Sequence, residues 1–360
     1  MNRRSRKLPL LGPETLALLM TFLIGGWGLL TIVSSQSHAS EPFLLAGKQL
    51  MFLILGLAVM WGASKVPFRF YCRNAWILML AAFGLLLLLP LFGVRVNGMC
   101  GWFRLGGFHF QPTEPAKGIY LLTLVIAFSK LRSDNLRFWG GALLTLVWLL
   151  PILLQPDFGT AAIYLAVFAS LYFLSGGSWR NLLLLAAGGV GTAALFVWRH
   201  PYAWRRITGL FNPDLDPLGS GWHIRQFELA IARGGWFGAK LGGAVWSNAY
   251  LPLAYNDSAY ATMAETLGWC GVLPVWICFT VLIASLLLLA FRFGLAREAR
   301  LYLLGAAALV GIQTLVHISV NLCLLPTTGL TLPLISYGGS SLFGCCLLLG
   351  IALSAANETE

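Results

Sequence analysis

Ten apolar runs divide the chain, near residues 15–34, 49–66, 75–94, 115–130, 139–155, 158–175, 181–198, 266–291, 301–325 and 338–355. Each is close to the roughly 20 residues that a helix needs to cross a hydrocarbon core. The pattern predicts an all-α polytopic membrane protein with about ten transmembrane helices, a single membrane domain over residues 1–360. Only one connection is long, and residues 199–265 are expected to form a large loop between helices seven and eight. In that loop Trp222, Phe227, Ala230 and Ile231 share a helical face opposite His223, Gln226 and Arg233, which predicts an amphipathic helix with its apolar side toward lipid.

Composition strengthens this picture. Hydrophobic residues make up 58% of the chain and charged residues 10%, with a mean hydropathy of +0.78, whereas a soluble domain carries about 25% charged residues. The net charge of +11 would suggest nucleic acid in a soluble protein, so its placement matters more than its sum. With the N-terminus inside, 14 of the 24 basic residues, among them Arg3, Arg4, Arg6, Lys7, Arg69 and Arg292, fall in short inner segments. The positive-inside rule therefore predicts cytoplasmic N- and C-termini and an extracytoplasmic 199–265 loop, with no nucleic-acid partner. Eight of the 13 acids map to the outer half.

Several chemistries find no pattern. The seven cysteines lack metal-ligand spacing and form no framework, with a Cys100–Cys270 bridge as the alternative. The five histidines are scattered without HExxH, and no metal site is predicted. Gly188, Gly189 and Gly191 follow no strand, so they read as close helix packing rather than a phosphate loop. Thr15 to Ser34 is long enough to span and reads as an anchor, not a cleaved signal.

Polar residues inside apolar runs are expensive and mark sites or partners. Glu114 and Lys117, at i and i+3, read first as a structural ion pair and second as a substrate contact. Arg104 offers a fork to phosphate or snorkels. In QPDFGT, Asp157 is either the cap of the next helix or a cavity-facing carboxylate. Arg225 and Glu228 are spaced as an i, i+3 pair. Asp257 lies at the outer boundary just before the eighth run, where a lipid headgroup would sit; the alternative is a helix cap. Glu265 follows it by roughly two turns and reads as packed against a polar neighbour. Finally, the Pro- and Gly-interrupted stretch from Leu324 to Ser341 cannot continue a helix and is expected to be an irregular segment lining a cavity, with Ser336 as a supporting residue.

Together these segments resemble the SEDS family of FtsW and RodA membrane proteins over nearly the whole chain. WFRLGGFHFQPTEPAK, QPDFGT, NPDLDPLGSGWHIRQ followed by GGWFG, and LPTTGLTLPLISYGGSS carry the likeness, in order and at compatible spacing. PFLLAGKQ and PYAWRRITGLFNP look closer to the FtsW division branch, and Gly221-Trp222-His223 closer to RodA. The resemblance implies a peptidoglycan glycosyltransferase of the bacterial cytoplasmic membrane that polymerises lipid II on its outer face. It also implies a class B penicillin-binding protein as transpeptidase partner, beside other division or elongation proteins. Asp257 matches the family's essential aspartate. Leu253, Asn256, Ser258, Gly101 and Thr328 depart from the family pattern, three of them close around Asp257.

The chemistry can be stated independently. A sugar hydroxyl must lose its proton as it attacks the anomeric carbon, and the departing diphosphate needs its charge screened. Asp257 is the candidate base. Arg104, Arg205, Arg206, Arg225, Arg233 and Lys240 are candidate cations, with a divalent ion such as Mg or Mn as a further option. The rival readings are a lipid II flippase using Glu114, Lys117 and Asp157 along its path, and a non-catalytic division scaffold.

Overall fold

The computed structural model describes residues 12–37, 40–96, 99–199, 201–217, 219–251 and 253–358; the basic residues Arg3, Arg4, Arg6 and Lys7 lie outside the described residues. Helices occupy all ten apolar runs. In chain order they are α1 (Pro13–Ser35), α2 (Leu44–Lys65), a short α3 (Phe68–Arg73), α4 (Ala75–Phe92), α5 (Thr113–Lys130), α6 (Asp134–Leu154), α7 (Phe158–Leu174) and α8 (Trp179–Arg199), then α9 (Pro201–Phe211), α10 (Ser220–Gly234), α11 (Val245–Ala249), α12 (Ala259–Ala290), α13 (Arg297–Asn321) and α14 (Gly339–Ala355). Among the described residues seven of these, α1, α2, α4, α6, α8, α12 and α13, are long and apolar enough to cross a membrane.

Polarity decides which helices lie inside. Gln313, Thr314, His317 and Asn321 on α13 are all buried, because a polar side chain facing hydrocarbon costs several kcal/mol. Two thirds of the most apolar window of α13 is enclosed, against 6% for α8. α5 and α14 pack beside α13. Gly344 makes the close approach of α14 to α5 possible, since a Cβ there would stand 2.7 Å from the Glu114 backbone. One end of the bundle gathers the start of α1 and the stretch after α14: Glu14 pairs with Arg292, and Arg69 with Glu358. Asp257 lies at the other end, close to where α13 terminates at Asn321.

Four expectations need correction. The chain is not entirely α: β1 (Val94–Val96), β2 (Met99–Leu105) and β3 (Phe108–Phe110) form a three-stranded antiparallel sheet. Its second hairpin turns at Gly106–Gly107, where Gly106 takes φ +59°, a left-handed conformation that glycine adopts without steric cost. The 199–265 loop is largely helical, and α12 already starts at Ala259. The apolar side of α10 faces protein, not lipid: Phe227 and Ala230 pack with Leu251, Ala254, Ala261 and Val320. Gln226, expected in water, is buried with them. Among the described residues, Gly188, Gly189 and Gly191 pack against no other helix: outside the backbone of α8 itself, no atom lies within 4 Å of an added Cβ.

Among the described residues all seven cysteines are free, and Cys100 donates instead to the Leu89 carbonyl at 3.2 Å. α12 is interrupted at Gly268, whose φ of +63° is non-helical.

Candidate active site at the turn before α12

Asp257 sits in a turn whose backbone is tethered on three sides. The Asn321 side chain donates to the Asp257 carbonyl at 3.0 Å and accepts from Ala261 N at 3.1 Å, so the last residue of α13 joins the turn to the first turn of α12. Ser336 donates to the Asn256 carbonyl at 2.7 Å and accepts from Leu332 N at 2.8 Å. Tyr337 N donates to the Tyr255 carbonyl at 2.7 Å, and the two rings meet edge to face at 5.6 Å. Gln49 on α2 holds the far side, with bonds to Ser336 O and Gly338 N.

The backbone is fixed, but the carboxylate is not engaged. Among the described residues it accepts no hydrogen bond and makes no ion pair, although it is only partly exposed. Burial therefore pushes its pKa up from 3.8 to about 6. The cap alternative fails too: the N-cap of α12 is Ser258, and no side chain caps it. Gly329, at φ +69°, brings the irregular segment against the acid, where an added Cβ would lie 3.8 Å from Asp257 Oδ2.

Arg206 reaches this segment from α9 and donates to the Thr327 carbonyl at 2.7 Å, two residues before Gly329. His223 is half-buried on α10, and burial together with the Arg206 charge lowers its pKa. The remaining candidate cations disperse. Arg225 pairs with Asp214 rather than with Glu228, correcting the i, i+3 expectation. Arg233 lies 3.6 Å from Glu265 and over the Trp246 ring. Arg104 is exposed in β2 opposite His109. Lys240 is exposed in a turn whose Gly242 bonds to Ser34 and Ser37 of the α1 end, and Arg205 is exposed on α9.

Three acids are structural in their contacts. Glu265 is fully buried, accepts from Trp246 N at 3.0 Å and Ser247 N at 2.6 Å, and also takes the Ser247 hydroxyl. A carboxylate from α12 thereby satisfies the open N–H groups of α11, the helix that leads into the Asp257 turn. Asp157 caps α7 by accepting from Thr160 N at 2.9 Å. Glu114 and Lys117 form a buried pair at 2.7 Å, and Lys117 also donates to Gln313 at 3.1 Å. Gln313 continues to Thr331, and Thr331 to Ser341. The pair is thus wired to the same irregular segment that borders Asp257.

Asn321, Gln49 and Gln313 were missed by sequence reasoning. The signal was present as amides inside apolar runs, each expensive in lipid without a partner. Among the described residues no three His, Cys, Asp or Glu side chains gather so as to hold a metal ion.

Apolar helices around a polar interior, ending in an irregular segment beside one unpaired acid, define a multi-pass membrane protein with its candidate site at one end of the bundle. The sequence profile of the FtsW/RodA/SpoVE cell cycle proteins matches residues 14–360, and the chain belongs to that family. A probable peptidoglycan glycosyltransferase FtsW from Nitrosococcus halophilus is 36% identical over 349 residues, 93% of this chain and 89% of that protein. Thermus thermophilus RodA has a similar structure, with a TM-score of 0.70 and 30% identity over 94% of this chain and 95% of that one. A chain from a peptidoglycan synthase complex that coordinates polymerization and crosslinking gives a TM-score of 0.80 at 30% identity, covering 94% of this chain and 96% of its own.

Proposed function

We propose that the protein is a peptidoglycan glycosyltransferase that polymerises lipid II at the outer face of the bacterial cytoplasmic membrane. FtsW relatives matched over most of the chain support the division branch. All ten apolar helices span in this reading, both termini are cytoplasmic, and the Asp257 end faces outward. The charge asymmetry of the inner segments supports that orientation.

The observation that carries the mechanism is an acid tethered by its backbone and idle at its carboxylate. Asp257 takes the proton from the acceptor sugar hydroxyl as that oxygen attacks the anomeric carbon of the lipid-linked donor, and the carbon–diphosphate bond breaks. A pKa near 6 leaves the base ionised at neutral pH yet stronger than an ordinary carboxylate. Arg206 is the candidate cation best supported for the departing diphosphate, because it bonds to the segment bordering Asp257. Ser336 and Asn321 act as positioning residues. A class B penicillin-binding protein is the proposed crosslinking partner, supported by the similarity to a chain of the synthase complex.

Reconstitution into lipid II liposomes, scoring polymer and headgroup translocation in parallel, tests the assignment. Polymer without translocation is expected; translocation without polymer would make the protein a flippase, and neither would leave a scaffold.

A further inference from the structure

The segment Gly234-Gly235-Trp236-Phe237-Gly238 carries no titratable side chain, yet its backbone is locked into the break in α12. Beyond Gly268, Trp269 N and Cys270 N donate to Gly235 O and Trp236 O at 3.0 Å each, and Ala239 N donates to Glu265 O at 2.8 Å. No side chain fits at the crossing. An added Cβ would stand 2.0 Å from Ala264 O on Gly234, 2.2 Å from Thr266 O on Gly238 and 2.4 Å from Gly238 N on Gly268. On this clamped backbone Trp236 is 72% and Phe237 80% exposed.

The height of the clamp follows from α12. From Trp269 to Ala290 the helix runs roughly 22 residues, about 33 Å at 1.5 Å per residue, which matches a hydrocarbon core of about 30 Å. Trp236 and Phe237 are therefore fastened at the level where the span leaves hydrocarbon. Beside them Ile231, Gly235, Tyr260, Ala264, Trp269 and Val272 line a shallow hollow without a charged side chain. An aromatic ring at that level is favoured, because its apolar body and polar or quadrupolar edge suit the headgroup–acyl boundary.

We propose that Trp236 and Phe237 insert into the lipid leaflet on the Asp257 side and fix the height of the large loop, so that Asp257 meets a headgroup. The proposal rests on the membrane-spanning reading of α12, not on the reaction. Its surface is continuous with the lipid-facing side of that helix, where Trp269 and Ile277 are also exposed.

A nitroxide placed at Phe237→Cys tests it, with Cys270→Ser removing the exposed neighbouring thiol. Ile277→Cys, in the same background, serves as a mid-span reference. The full chain is reconstituted in phosphatidylcholine–phosphatidylglycerol liposomes, and collisions with oxygen are compared with those of a water-soluble nickel chelate. The Phe237 label should favour oxygen several-fold, report a shallower depth than the Ile277 label, and not change when the transpeptidase partner is added. A Phe237 label open to the chelate, beside an Ile277 label in hydrocarbon, would sink the anchor and spare the span. Shielding that requires the partner would reassign the aromatic pair to a protein interface. Should Phe237→Cys fail to insert, Trp236→Cys carries the same label with the same outcomes.

Discussion

Acidifying the medium perturbs Asp257 more directly than any substitution. Its carboxylate is half-buried, and among the described residues no hydrogen bond or cation offsets the loss of water, which raises its pKa to about 6. A general base works only when ionised, so the competent fraction falls from about 91% at pH 7 to about 9% at pH 5. Initial rates of lipid II polymerisation by the partner-bound protein should lose roughly tenfold in kcat/KM over that interval.

Stability moves the opposite way. The folded-state pKa lies above the unfolded value of 3.8, so ionised Asp257 opposes folding at neutral pH, and this cost falls as the pH drops through about 6 and vanishes only below about pH 3, where both states are protonated. Asp257→Asn should therefore stabilise the protein near neutral pH by up to about 2 kcal/mol, after discounting for residual exposure, with no gain near pH 3. Thermal scans at the two pH values measure it. An acid limb near pH 4, or an Asn variant destabilised at neutral pH, would refute the claim of an idle, desolvated carboxylate.

Other substitutions test the supporting structure. Lys117→Ala leaves Glu114 buried without its cation and should cost about 3–5 kcal/mol, whereas Glu114→Gln with Lys117→Met should cost much less, as read by thermal denaturation in detergent. Gly268→Ala forces a Cβ to within 2.4 Å of Gly238 N at a left-handed φ and should cost at least about 2 kcal/mol, seen as poor recovery of monodisperse protein. Asn321→Ala frees the Asp257 carbonyl. It should lower kcat about tenfold or more by misplacing the base, while the acid limb of the pH profile stays near 6.

The helices were legible because a lipid-facing span must be apolar for most of its length, and all ten runs became helices. The irregular segment was legible for the complementary reason: Pro326, Gly329, Pro333 and Gly338 cannot extend a helix, and the freed backbone groups must line protein. The sheet over residues 94–110 announces itself only by its Gly106–Gly107 turn, because β1 and β3 are three residues each and too short to show an alternating pattern. Long-range partners were not legible at all. Arg225 prefers Asp214 to the nearby Glu228, and Arg206 finds a carbonyl more than a hundred residues away, because the fold rather than local spacing brings those groups together. Asp257 was identifiable from its placement and family likeness, but that its carboxylate stands unpaired is visible only in three dimensions.

Glycan synthesis by purified Asp257→Asn, bound to its transpeptidase partner and supplied with lipid II, bears most directly on the central claim. The account predicts inserted, partner-bound protein that makes no polymer while the wild-type complex does. Polymer at the wild-type rate would contradict it and transfer the chemistry to another group.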